Sequence, residues 1–286
     1  MDTTKQKLDP RNDFVFKALF TQGSVESTIA RNNLIEAFIG KKVHTSTVVN
    51  NELPITNDEE KAISLDLHCV LDDKTRVNIE MQFAKTPDSI ESRISHYLMR
   101  LASLQKLKGK NYSEVRDVFV ILISDKTLYD DPEHLAHFRM TSEEGRKICP
   151  ELNIIVLELQ KLRKKAILKE DLNLAEKWGL FFSYAHDESK KNVLQQIIEN
   201  EEGIHMANQV LEGITQEDID SGIEFLKWQR EYKKSVLIQA AQEEALAKGR
   251  EQGREQGKIE TARNMKAGGI SAEQIQQFTG LVEGEY

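Results

Sequence analysis

The sequence is poor in sulfur. Cys69 and Cys149 are its only cysteines, with no Cys-x-x-Cys and no cysteine–histidine cluster, so a disulfide framework or a zinc site has little support. Any metal must be held by oxygens. Breakers are scarce too: 5 prolines and 15 glycines in 286 residues, beside 39% hydrophobic and 30% charged residues, exclude collagen-like and disordered chains. No apolar run approaches the roughly 18–20 residues of a membrane helix. The leader MDTTKQKLDPRNDF holds no apolar signal core, so a soluble, unexported, cytoplasmic protein is expected, with no membrane partner. At about 100–200 residues per domain, the chain has room for two.

An excess of positive charge is missing as well. The net charge is −8, which argues against a polyanionic partner until the distribution is considered. Residues 1–170 carry 26 basic and 26 acidic side chains, whereas 171–286 carry 13 and 21, so the acidity belongs to the second part. From Arg93 to Lys110 there are five basic residues (Arg93, Arg100, Lys106, Lys108, Lys110) and no Asp or Glu. A neutral domain with one basic helix can bind a polyanion.

Periodicity divides the chain in two. Asn12-Asp13 precedes FVFKALF, and helical spacing resumes from Ile29 to Ile39 before Gly40, which predicts two short helices. AISLDLHCVL (62–71) and TRVNIEMQF (75–83) alternate strictly, with Asp72-Asp73-Lys74 as the turn of a hairpin. Residues 88–108 read as an amphipathic helix with the stripe Ile90, Ile94, Tyr97, Leu101, Leu104. VRDVFVILIS (115–124) suits the middle of a sheet, and further strands are expected at 153–159 and near 136–141. Together these predict an α+β (α/β-like) unit with a mixed sheet over residues 1–160. After Lys161 no strand pattern remains, and 161–286 read as a helical region.

The chemistry lies in the hairpin. Apolar side chains take the odd positions of both strands (63–71 and 77–83), leaving Ser64, Asp66, His68, Asn78, Glu80 and Gln82 on the opposite face. If the apolar sets are to face the same way, paired numbers must have an even sum, since a one-residue slip turns every side chain over. A turn centred on Asp73 gives the sum 146 and sets Asp66 against Glu80, and Ser64 against Gln82. Facing carboxylates repel unless something positive lies between them, and a hard divalent cation resolves that conflict. The same alternation equally describes a hairpin with one face in solvent.

The string Lys61-x4-Asp66-Leu67-His68-Cys69…Arg76-Val77-Asn78-Ile79-Glu80-Met81-Gln82, with Asn12-Asp13-x2-Phe16-Lys17-x-Leu19-Phe20, resembles the recombination-promoting nuclease (Rpn) group of transposases in the PD-(D/E)XK nuclease clan. The resemblance runs over roughly residues 8–160, and GREQGREQGK with ARNMKAGGISAEQIQQFTGL looks like the tail of such proteins. It implies a nuclease-type core with a mixed sheet flanked by helices, Mg²⁺ (or Mn²⁺) on Asp66 and Glu80, DNA as partner, and Gln82 in the place of the clan's lysine. That last position is a departure. An amide has no useful pKa and can only orient by hydrogen bonding, so the metal must do more.

Other candidates stand around this centre. Arg93, His96 and Arg100, at i, i+3 and i+7, are suited to gripping DNA phosphates, or else form a solvated face. Lys17 matches the opening motif and is a further backbone candidate. Asp13 is an accessory candidate and equally a helix N-cap. His68 should face the acids as a neighbour rather than a ligand. In the tail, Ala245, Gly249, Gly253 and Gly257 form a small-residue line suited to self-association into a homodimer, and Ser271-x-x-Gln274 has capping-box form. The expected activity is metal-dependent DNA endonuclease of low sequence specificity. Its alternative is a catalytically weak or inactive DNA-binding and assembly module of a mobile element.

Overall fold

A computed structural model describes residues 8–53, 63–83, 89–105, 111–166 and 171–286. Lys61, Lys106, Lys108 and Lys110 lie outside the described residues.

The chain opens with α1 (Asp13–Thr21) and α2 (Val25–Ile39). The cap of α1 is Asn12, whose side chain accepts from the Phe14 and Val15 amides, so Asp13 is the first helical residue and not the cap. Strands β1 (Ser46–Val48), β2 (Leu67–Leu71) and β3 (Arg76–Gln82) precede α3 (Ile90–Ser103), and β4 (Val118–Ser124), β5 (Leu135–Phe138) and β6 (Leu152–Glu158) complete the sheet. Its order is β1-β2-β3-β4-β6-β5. The β3–β4 and β4–β6 pairs are parallel and the other three antiparallel, which makes the sheet mixed. Every residue of β4 is buried, as its unbroken apolar run requires of a strand covered on both faces.

The hairpin register is the expected one: Leu67 pairs with Ile79, His68 with Asn78 and Cys69 with Val77. At the turn Lys74 adopts a φ of 70°, and the Thr75 amide is held by Asp73 Oδ1 at 2.8 Å. The alternation misleads at one place. The β2–β3 ladder ends at Leu67, the chain bends at Asp66, and Ser64 bridges Glu52 instead of facing Gln82. As a result Ile63 and Leu65 join the apolar layer under α3, with Ile94, Leu101, Val120 and Leu122, while Leu67, Cys69 and Leu71 join the layer on the other face. The hairpin is also no solvated one, since His68, Asn78 and Glu80 are all buried.

The second layer continues through α4 (Leu159–Ala166), α5 (Leu174–Tyr184), α6 (Lys191–Asn200) and α7 (Glu202–Gly213). Phe16 and Phe20 of α1 interlock with Trp178, Phe181 and Phe182 of α5, with ring centroids 5.1–6.3 Å apart. The Trp178 indole donates to Asn33 Oδ1 of α2 at 2.9 Å. The sequence suggests a boundary near residue 160; the compact units are 1–220 and 221–286, and residues of α4–α7 share one buried core with the sheet. The second unit contains most of α8 (Gln216–Ala267) and α9 (Ala272–Thr279), where Ala262 and Ile275 are buried and Ser271 caps α9. Among the described residues no helix is long and apolar enough to cross a membrane.

Candidate active site

Glu80 stands near the C-terminal end of β3, the inner strand of the hairpin, and is only 4% exposed. Its Oε1 accepts two hydrogen bonds: from the Asp66 backbone amide at 3.1 Å and from Asn78 Nδ2 at 2.9 Å. The bend at Asp66 makes the first of these possible, because an amide committed to a regular ladder would not be free for a side chain. Asp66 returns the contact with Oδ2, which accepts from the Met81 amide at 3.0 Å. Asn51 holds the bend from outside: its Nδ2 donates to the Asp66 carbonyl at 3.1 Å, and its Oδ1 accepts from the His68 amide at 3.4 Å.

Helix α1 reaches the same point. Lys17 Nζ lies 3.3 Å from Asp66 Oδ1 and 2.8 Å from Asp13 Oδ1, so Asp13, Lys17 and Asp66 form one chain of charges. From α3, the Arg93 guanidinium donates to Gln82 Oε1. His96 is exposed on the same helix and Arg100 is half-buried beyond it. The structure thus gathers Asp13, Lys17, Asp66, Glu80, Gln82 and Arg93, and leaves His96 outside the contacts described here.

Burial dominates the electrostatics. It pushes the Glu80 carboxyl up to about 8, reinforced by the charge of Asp66 and opposed by the Asn78 amide, the Asp66 amide and Arg93. Burial likewise pushes Asp66 up to about 6, against the Lys17 ammonium and with help from Asp13. Lys17 would be lowered by burial, yet Asp66 and Asp13 outweigh this and raise it, so it remains an ammonium. His68 is lowered by burial, and both its nitrogens are engaged, Nδ1 with the Asn50 carbonyl at 3.2 Å and Nε2 with Arg76 at 3.4 Å. It has no lone pair left for a metal.

No group of three or more His, Cys, Asp or Glu side chains suited to a metal occurs among the described residues. A cation here would rest on two carboxylates, with amide oxygens and water for the remainder, which is the donor set of a hard ion. Asn78 Oδ1, buried and without a partner among the described residues, is an acceptor that fits such a site. Sequence reasoning overlooked Asn51, whose bonds to Asp66 and His68 span 15 and 17 positions and leave no local pattern.

A mixed six-stranded sheet flanked by helices and followed by further helices is an α+β core of the PD-(D/E)XK kind. The chain belongs to the PD-(D/E)XK nuclease family transposases, whose family model matches residues 10–241. No curated protein and no solved structure gives a match.

Proposed function

We propose that the protein is a metal-dependent DNA endonuclease of low sequence specificity acting in recombination or the movement of mobile elements. The observation that carries this reading is the meeting of a buried carboxylate, Glu80, with a half-buried one, Asp66, both with raised pKa values, within a nuclease-family fold. Asp66 and Glu80 would hold Mg²⁺, with Mn²⁺ as a substitute. Such a cation, when bound, supplies a water of lowered pKa and a counter-charge to the phosphate.

The chain's own groups share the remaining work. Gln82 cannot take a proton; its Oε1 accepts from Arg93, and its part is to orient groups at the site by hydrogen bonding. Lys17, kept charged between Asp13 and Asp66, supplies the positive charge that Gln82 lacks. Asp13 positions that ammonium. Arg93, His96 and Arg100 run along α3 as backbone contacts, which position DNA without reading its sequence.

Plasmid nicking in Mg²⁺ or Mn²⁺ tests the assignment: wild type cleaves, while Asp66→Ala, Glu80→Ala and wild type in EDTA do not. Equal cleavage by all three proteins removes the site, and activity in EDTA removes the metal. The occupied carbonyl of Gln82 favours one second reading, a non-catalytic DNA-binding and assembly module. Salt-sensitive DNA binding that survives Asp66→Ala, with no turnover in any divalent ion, would establish it. In either case we propose a homodimer through the C-terminal helical region, where Gly249, Gly253 and Gly257 recur every fourth residue and are exposed on α8. Ala245, the fourth member of that line, lies where side chains are not described.

A further inference from the structure

Asn78 is completely buried, two residues before Glu80 on the same face of β3. Its Nδ2 is spent on Glu80 Oε1, and its Oδ1 has no hydrogen-bond partner among the described residues. A buried amide oxygen left without a donor is costly, and its neighbours do not offer one. The cross-strand partner is His68. Because Arg76 can only donate, the His68 Nε2 facing it must accept, and the ring proton on Nδ1 goes to the Asn50 carbonyl. On the other side, the β4 residues in register with Asn78 and Glu80 are Val120 and Leu122, which have no polar side-chain atoms. An apolar side chain would suit these surroundings without leaving an orphan, so the amide answers to something beyond packing.

Glu80 indicates what that is. With the Asp66 amide and Asn78 Nδ2 both on Oε1, that oxygen is engaged and Oε2 retains its capacity. Magnesium dehydrates reluctantly and keeps several waters when bound by one or two carboxylates, so its site needs acceptors for those waters. We infer that Asn78 is a positioning residue of the cation site: its Nδ2 fixes Glu80, and its Oδ1 accepts a hydrogen bond from a water in the hydration shell of the divalent ion. This rests on the assignment of Asp66 and Glu80 as the cation-binding acids. Outer-shell partners of this kind typically alter metal affinity by about 10–100-fold.

The test is Mn²⁺ binding to the full-length protein without DNA, followed by the electron paramagnetic resonance signal of free Mn²⁺. Glu80→Gln should abolish binding. Asn78→Leu, close in volume and devoid of polar atoms, should weaken it by about 10–100-fold. Asn78→Asp keeps the acceptor but gives up the Nδ2 donor to Glu80, and should be weakened less than Asn78→Leu. A merely structural amide would change unfolding midpoints and leave these affinities alone. Wild-type affinity in Asn78→Leu, or equal weakening in Asn78→Asp and Asn78→Leu, overturns the role of Oδ1 while the two-acid site stands. Undiminished binding by Glu80→Gln overturns the site itself. If Asn78→Leu does not fold, Asn78→Ser, too short to reach, takes its place with the same expectation.

Discussion

Removing the Glu80 charge should stabilise the metal-free protein. The carboxyl rises from an ordinary 4.5 to about 8 on folding, so at neutral pH the native state must either bind a proton or bury an unfavourable charge. An acid whose pKa is raised by folding costs nothing below its unfolded value. The cost grows as pH rises, because the native state now binds more protons than the unfolded one, and it levels off above the folded value. For Glu80 that window is 4.5 to about 8. At pH 7, some 2.5 units above the unfolded pKa at about 1.36 kcal/mol per unit, the cost is about 3 kcal/mol. Glu80→Gln removes the titration while keeping an oxygen acceptor for the Asp66 amide and Asn78 Nδ2. Urea unfolding in EDTA is the assay. Wild type should lose stability from pH 4.5 to 8, and the variant should match it at pH 4.5 and exceed it by about 3 kcal/mol at pH 7, with a residual slope from Asp66. Added Mg²⁺ should stabilise wild type and not the variant. A variant less stable than wild type at pH 7 to 8 in EDTA would refute the reasoning, for it would mean that the Glu80 charge is paired within the protein.

Three other outcomes are expected. Lys17→Met should reduce plasmid nicking by about tenfold or more, the range of a lost electrostatic contact at a phosphate, without weakening Mn²⁺ binding at pH 8; parallel loss of binding would show that Lys17 only holds Asp66 in place. Gly203→Ala should destabilise by about 1–3 kcal/mol in urea titrations, since a Cβ there would clash with Asn33 where α7 crosses α2, disturbing the acceptor of the Trp178 indole; an unchanged midpoint would contradict this close approach. Light scattering should find the full chain dimeric and a chain ending at Asp220, the limit of the first compact unit, monomeric; a dimeric truncated chain would rule out assembly through the tail.

The sequence was most legible where a period of two met a turn. The alternation on both sides of Asp72-Asp73-Lys74 excludes every odd shift, and it is the turn centred on Asp73, rather than on Asp72 or Lys74, that sets Leu67 against Ile79. The same alternation hid the bend, since Ile63, Leu65 and Leu67 continue the pattern even though the chain changes layers between them. Helices α4–α7 were visible as helices, yet an apolar stripe says that a face is covered and not by what. Their shared core with the strands, including the contacts of Trp178 and Phe182 with Phe20 and of the Trp178 indole with Asn33, assigns them to the sheet. Lys17 was marked by the resemblance, but its place beside Asp66, 49 positions along the chain, depends on how α1 lies on the sheet.

The bend at Asp66 has a mechanical consequence. Leu65 is anchored among the side chains of α3 and Leu67 among those facing α1 and α2, so Asp66 lies between a residue held on one face of the sheet and a residue held on the other. Sliding of one helical layer against the other would therefore act on Asp66, whose amide bonds Glu80. The two layers would then act as the jaws of a vice on that contact, and a substitution buried far from it in either layer would reach the two carboxylates through the backbone alone.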